Sequence, residues 1–125
     1  PSSPRRGRGG ALMLPSQNRL NKKIDIDRVF KRGRTVYAGD LALRFAPNGL
    51  KEARFTVVTS LKVSKRATKR NLLKRRLRET IRRDILPNIK QNVDGLLLTK
   101  APLLALPYAE LKTLAAALFK KTRLI

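Results

Sequence analysis

The stretch from Lys62 to Arg83, KVSKRATKRNLLKRRLRETIRR, holds the residues best suited to a chemical task. Eleven of its twenty-two residues are Lys or Arg, and only Glu79 is acidic. Arginine grips phosphate oxygens with a planar fork, lysine acts as a compact point charge, and Asn71 adds one donor–acceptor group. The task these residues suit is gripping a polyanion. Other chemistry is poorly supplied. The chain contains no histidine and no cysteine, which removes imidazole bases, thiolate nucleophiles, disulfides and Cys/His metal sites. Its eight acids are Asp25, Asp27, Asp40, Glu52, Glu79, Asp84, Asp94 and Glu110. Only Asp25 and Asp27 lie close in sequence, and at i, i+2 on a helix they point apart. A two-metal nuclease site needs several converging carboxylates. No catalytic residue and no protein-held metal is expected.

To present such an array the stretch has to be a helix with one buried side. From Ala67 onward, at about 100° per residue, Leu73, Leu77 and Ile81 form an apolar seam. Asn71, Lys74, Arg75, Arg78 and Arg82 gather on an adjacent arc. Like charges at i, i+4, such as Lys74/Arg78 and Arg78/Arg82, disfavour an isolated helix, whereas an ordinary solvated face more often alternates signs. A membrane-surface helix is a weaker reading, because the seam lacks Trp and is narrow enough to be used up by the core.

The whole chain points the same way. Thirty Lys and Arg against eight acids give 125 residues a net charge of +22. A compact state carrying that charge repels itself, and nucleic acid is the natural partner. The length suits one domain with one core. No apolar run approaches the roughly 18–20 residues of a membrane span. Residues 1–13 read as a disordered basic arm without the apolar segment of a signal peptide, which makes a cytoplasmic location the expectation. Residues 14–125 read as the folded domain.

Along that domain, Asn21 is placed to cap a helix over residues 22–32, closed by Gly33, with Ile26, Val29 and Phe30 on one face. Residues 35–46 alternate as a half-buried strand that Gly39-Asp40 can divide. Pro47-Asn48-Gly49 reads as a turn and residues 54–60 as a β-branched strand. The basic helix runs from Ala67 to Ile85, ended by Pro87. Residues 93–99 form a buried strand. A final helix, with Pro107 in its first turn, buries Leu111, Leu114, Ala115, Leu118 and Phe119. The class is α+β, helices against a small sheet. Phe30, near the end of a basic helix, could stack on an unpaired base or serve as a core residue, and periodicity leaves both open.

The run Ser60–Glu79 resembles the "RNR" segment of the bacterial ribonuclease P protein family, which shows SKK, a spacer, then RN-x-x-KR-x-x-RE. Arg70-Asn71, Lys74-Arg75 and Arg78-Glu79 match at that spacing. Arg19-Leu20, Asp25, Val29-Phe30 and Gly33 are similar to the family's opening RL…D-F-x-x-V-F-x-x-G. Pro47-Asn48, Arg54-Phe55 and Val93-Asp94 fit its strands. The likeness covers about residues 14–120. Leu61 stands where the family usually has Lys, Leu72 replaces the second Arg of RNR, and Ile26 replaces the first Phe.

The resemblance implies a compact α-β-β-β-α-β-α sandwich with a left-handed βαβ crossover. It implies the protein subunit of ribonuclease P, an RNA-based endoribonuclease that removes the 5′ leader of precursor tRNA. The implied partners are the catalytic RNA, bound one to one, and precursor tRNA, with no membrane. Magnesium ions belong to the RNA. On this resemblance Lys65, Arg66, Arg70, Asn71, Lys74, Arg75, Arg78 and Arg82 contact RNA from the helix and the loop before it. Phe30, Arg44 and Lys62 line a cleft for the leader. A ribosomal protein is the main alternative on composition alone; a protein-only nuclease lacks the acids and histidines. A helix-turn-helix DNA binder is disfavoured by the strand-like RFTVVTS before the basic helix.

Overall fold

The computed structural model describes residues 16–59 and 63–125. The expected N-terminal arm and Lys62 lie outside the described residues. Helix α1 (Lys23–Arg32) leads into strands β1 (Arg34–Ala38), β2 (Leu41–Pro47) and β3 (Arg54–Val58). Helix α2 (Ala67–Thr80) follows, then strand β4 (Val93–Thr99) and helix α3 (Tyr108–Lys121). The expected α-β-β-β-α-β-α order holds.

The sheet order is β1-β2-β4-β3. Strands β1 and β2 form a hairpin in which Ala38 pairs with Leu41 across Gly39-Asp40, with Gly39 at φ 58°, where a Cβ is disfavoured. Strand β4 enters between β2, to which it is antiparallel, and β3, to which it is parallel. Alternation along the strands gives the sheet two apolar faces. Leu41, Leu43, Phe45, Phe55, Val57 and Leu97 join the larger core with α2 and α3, where Phe55 meets Phe119 edge-to-face at 5.5 Å. On the other face Leu96, with Leu98 and Val58, packs against Leu20, Ile26 and Val29 of the α1 layer. Helix α1 therefore covers one face, and α2 with α3 covers the other.

Two local expectations need correction. The cap of α1 is Lys22, not Asn21: the Ile26 N–H donates to the Lys22 carbonyl, and no side chain caps the turn. Starting there sets Asp25 in the first turn, buried and ion-paired to Arg54. Gly33 closes α1 as expected, in extended backbone (φ −76°, ψ 169°). Glycine is required because a Cβ would lie 2.5 Å from the Val29 carbonyl oxygen and 2.9 Å from that of Phe45. Pro107 precedes α3 as its cap and accepts the Leu111 N–H at 3.0 Å.

The basic helix reaches Ile85 as expected, but its last turn, Ile81–Ile85, is π-helical, with the Leu86 N–H donating to the Ile81 carbonyl. Through this wider turn Ile81 and Ile85 are both fully buried, continuing the seam of Leu73 and Leu77. At about 1.5–3 kcal/mol per buried aliphatic side chain, this seam outweighs the few tenths per pair of like-charge repulsion. Pro87 follows, unable to continue the helix.

Candidate nucleic-acid interface

The seam fixes which way α2 turns its charges. Leu73, Leu77 and Ile81 face the sheet. Helix α2 lies over β3, while α3 lies over β1 and β2. The flank of α2 bearing Arg76 faces α3, since the Arg76 guanidinium sits 5.7 Å from the Tyr108 ring centre. The opposite flank, with Asn71, Lys74, Arg75 and Arg78, consequently points away from α3, off the β3 edge. Asn71 and Arg75 are exposed, and Lys74 and Arg78 are half-buried along their stems.

The arc is extended at its start by the preceding loop. Arg66 caps α2, and its N–H donates to Ser64 Oγ at 3.1 Å. Arg70 Nη1 donates to the Ser64 carbonyl at 2.8 Å, tying the helix to the loop that carries exposed Lys65 and Arg66. The structure thus brings Lys65, Arg66, Arg70, Asn71, Lys74, Arg75 and Arg78 onto one loop and helix flank. Arg82 stands differently. Its Nε and Nη2 each donate to the buried Glu79 carboxylate at 2.9 Å, so half of its fork is already satisfied.

Phe30 and Arg44 come together on the α1 face of the sheet. Phe30 ends outward, 48% exposed, so the core reading of this residue is set aside. Arg44 donates through Nε and Nη2 to the Phe30 carbonyl and through Nη1 to Thr35 Oγ1 at 2.9 Å. An exposed ring on a residue whose carbonyl holds a guanidinium can stack an unpaired base with a cation close by for its phosphate.

Sequence reasoning missed the group that holds this face. Arg54 Nε donates to Asp94 Oδ1 at 2.8 Å and Nη2 to Oδ2 at 2.6 Å, a bidentate pair, while Nη1 lies 3.3 Å from Asp25 Oδ2. Arg28 pairs with the same Asp25, and Asn48 Nδ2 donates to Asp94 at 2.9 Å. Chiefly through its hydrogen bonds with Asp94, the Arg54 guanidinium has its pKa raised above the ordinary arginine value. The network locks α1 to β3 and β4. Its one visible signal was an acid, Asp94, at an inner position of an otherwise apolar strand.

Among the described residues no group of three or more acids could hold a metal ion, and no helix is long and apolar enough to cross a membrane.

Residues 14–123 match the family model of ribonuclease P. The chain is 36% identical over 93 residues to the ribonuclease P protein component of Synechococcus elongatus, covering 71% of this chain and 75% of that one. Among solved structures it is similar to the RNase P protein of Thermotoga maritima, with TM-score 0.74 and 27% identity, covering 82% of this chain and 97% of that one. A Staphylococcus aureus RNase P protein mutant shares the fold, with TM-score 0.81 at 19% identity over 88% and 92% of the two chains.

Proposed function

Because the chain belongs to the ribonuclease P protein family, we propose that it binds the catalytic RNA of that enzyme and the 5′ leader of precursor tRNA, promoting endonucleolytic leader removal. The observation that carries this reading is the cationic flank from Lys65 to Arg78, set on a helix that the buried seam holds rigid. Each cation that meets a phosphate releases condensed counterions, and that release supplies affinity without demanding a sequence. Rigidity adds register: side chains fixed at helical spacing meet a backbone of matching shape with little further loss of freedom.

In this reading Phe30 and Arg44 receive the single-stranded leader on the α1 face, and the Arg54–Asp94–Asp25 network holds that face in place. The phosphodiester hydrolysis belongs to the RNA with its magnesium ions, and the protein contributes positioning and charge neutralisation. The subunit joins the RNA one to one and works in the cytoplasm.

The test is reconstitution. The purified chain, a bacterial ribonuclease P RNA and a precursor tRNA are combined at low magnesium. Leader removal should rise with added protein and disappear without the RNA. Tight RNA binding with no stimulation would redirect the reading to a ribosomal or other structural RNA-binding protein.

A further inference from the structure

Helix α2 carries cations on both sides of its buried seam. Lys69, Leu72 and Arg76 follow one another at i, i+3 and i+7 on the flank that faces α3, away from the arc of Asn71, Lys74, Arg75 and Arg78. Between this ridge and the segment before α3 lies a cavity of about 140 Å³, lined by Lys69, Leu72, Arg76, Leu103 and Leu104 over the buried Leu73. Its floor is apolar, its rim is cationic, and none of its lining residues is acidic. Leu72, at 39% exposure, is one of the few large apolar side chains left open to solvent among the described residues. The Arg76 guanidinium is ordered against the Tyr108 ring, which also carries the Lys112 ammonium at 5.3 Å.

We infer that this cavity is a second contact for the catalytic RNA, taking one unstacked nucleotide with its base on Leu72, Leu103 and Leu104 and its phosphates against Lys69 and Arg76. The inference rests on the proposed ribonuclease P role. Its chemistry follows from the lining: a base has an apolar face and an anionic backbone on either side, and the cavity offers an apolar floor between two cations. A lone aliphatic ligand would leave the rim unused, and a bare phosphate would leave the floor unused. The source follows from the topology. The leader is assigned to the α1 face of the sheet, whereas the cavity lies on the α2/α3 face, so one short single strand does not serve both. The arc lies on the other flank of α2, across the exposed surface of the helix from the cavity.

The chain has no cysteine, so Leu72→Cys provides a single thiol for an aryl-azide photo-crosslinker, with Asn71→Cys as the matching probe on the arc. Each labelled protein is assembled with the catalytic RNA and precursor tRNA and irradiated. The Leu72→Cys probe is expected to reach an unpaired nucleotide of the catalytic RNA distinct from the site reached from Asn71→Cys. A crosslink from Leu72→Cys only to precursor tRNA or to another copy of the protein overturns the inference. So does no crosslink from Leu72→Cys while Asn71→Cys still reaches the RNA, and in either case the proposed function stands. Failure of both probes to reach the catalytic RNA overturns the proposed function as well. In parallel, Lys69→Glu, which alters only an exposed side chain, should weaken binding of the catalytic RNA by about tenfold or more with an unchanged circular dichroism spectrum; unchanged affinity counts against the site.

Discussion

Arg44 grips the backbone of Phe30: two of its nitrogens donate to the Phe30 carbonyl, at 3.1 Å from Nε and 2.5 Å from Nη2. That carbonyl belongs to the last turn of α1, where carbonyls lack helical partners. The guanidinium on β2 therefore serves as a cap for the end of α1 from which the exposed Phe30 ring projects. Arg44 holds the backbone of Phe30 whether or not it also meets a phosphate.

Phe30→Ala should leave the fold intact, because the ring is half exposed. Loss of a stacking platform is worth about 1–3 kcal/mol per base. Affinity for a precursor with an unpaired leader should fall accordingly, while affinity for mature tRNA should not change. Equilibrium binding of the two RNAs to the reconstituted holoenzyme checks this, and an equal loss for both would remove Phe30 from the leader site.

Arg44→Ala removes a charged cap, and hydrogen bonds of that kind contribute about 1.5–3 kcal/mol. Hydrogen exchange at the end of α1 should accelerate, and leader affinity should fall along with it. Intact protection of α1 with lost leader affinity would instead mark Arg44 as a direct phosphate contact.

The arc can be tested by salt. Removing one phosphate-bound cation should lower the slope of log K against log salt by about 0.7–0.9. Arg75→Ala should show such a drop for the catalytic RNA. Arg82→Ala should show less, since Glu79 already takes two of its donors. Equal slopes for both variants would mean that Glu79 gives up its partner on binding.

Arg54→Met should be among the most damaging substitutions on the α1 face. It strands Asp94, which is 2% exposed, and breaking such a buried pair costs about 3–5 kcal/mol. Urea unfolding measures the loss. Arg54→Lys should fall between, keeping the charge but not the fork. The guanidinium stays charged throughout the working range: its raised pKa means the stabilisation is complete below the unfolded value and is lost only on rising through a still more alkaline folded value. Alkaline titration up to pH 10 should therefore show no transition traceable to this pair.

Gly95→Ala places a Cβ 2.8 Å from Phe55 Cδ1 and 3.1 Å from Leu43 Cδ1. Overpacking of this kind costs about 1–3 kcal/mol. Thermal unfolding of Gly95→Ala and of the double variant with Phe55→Leu tests the cause: the second change should recover part of the loss, and strictly additive losses would locate it elsewhere.

Much of this was legible in the chain because the strongest signals are periodic. The seam of Leu73, Leu77 and Ile81, the apolar run from Val93 and the stop at Pro87 all report burial by spacing, and each element appears where its spacing put it. What spacing cannot report is contact across the fold. The turn at Ile81–Ile85 is π-helical, yet residues i and i+4 share a face in either helix, so the apolar pattern looks the same. Asn21 is the better local cap than Lys22, but the helix begins where Asp25 can meet Arg54, a residue 29 positions away in the chain. The cavity beside Leu72 needed the packing of the segment before α3 to exist at all. Arg76 and Lys69 look like surplus charge until Tyr108, Leu103 and Leu104 are set beside them.

The central place of β4 has a consequence for the order of events during synthesis. This strand is the last of the four to leave the ribosome, and it fills the gap between β2 and β3. Until residue 99 has emerged, β2 and β3 have no partner between them and both present bare backbone groups. The arginine-rich helix is translated before that gap closes, with its apolar seam still uncovered by α3. The nascent chain thus displays its RNA-seeking segment before the sheet that carries it can be completed.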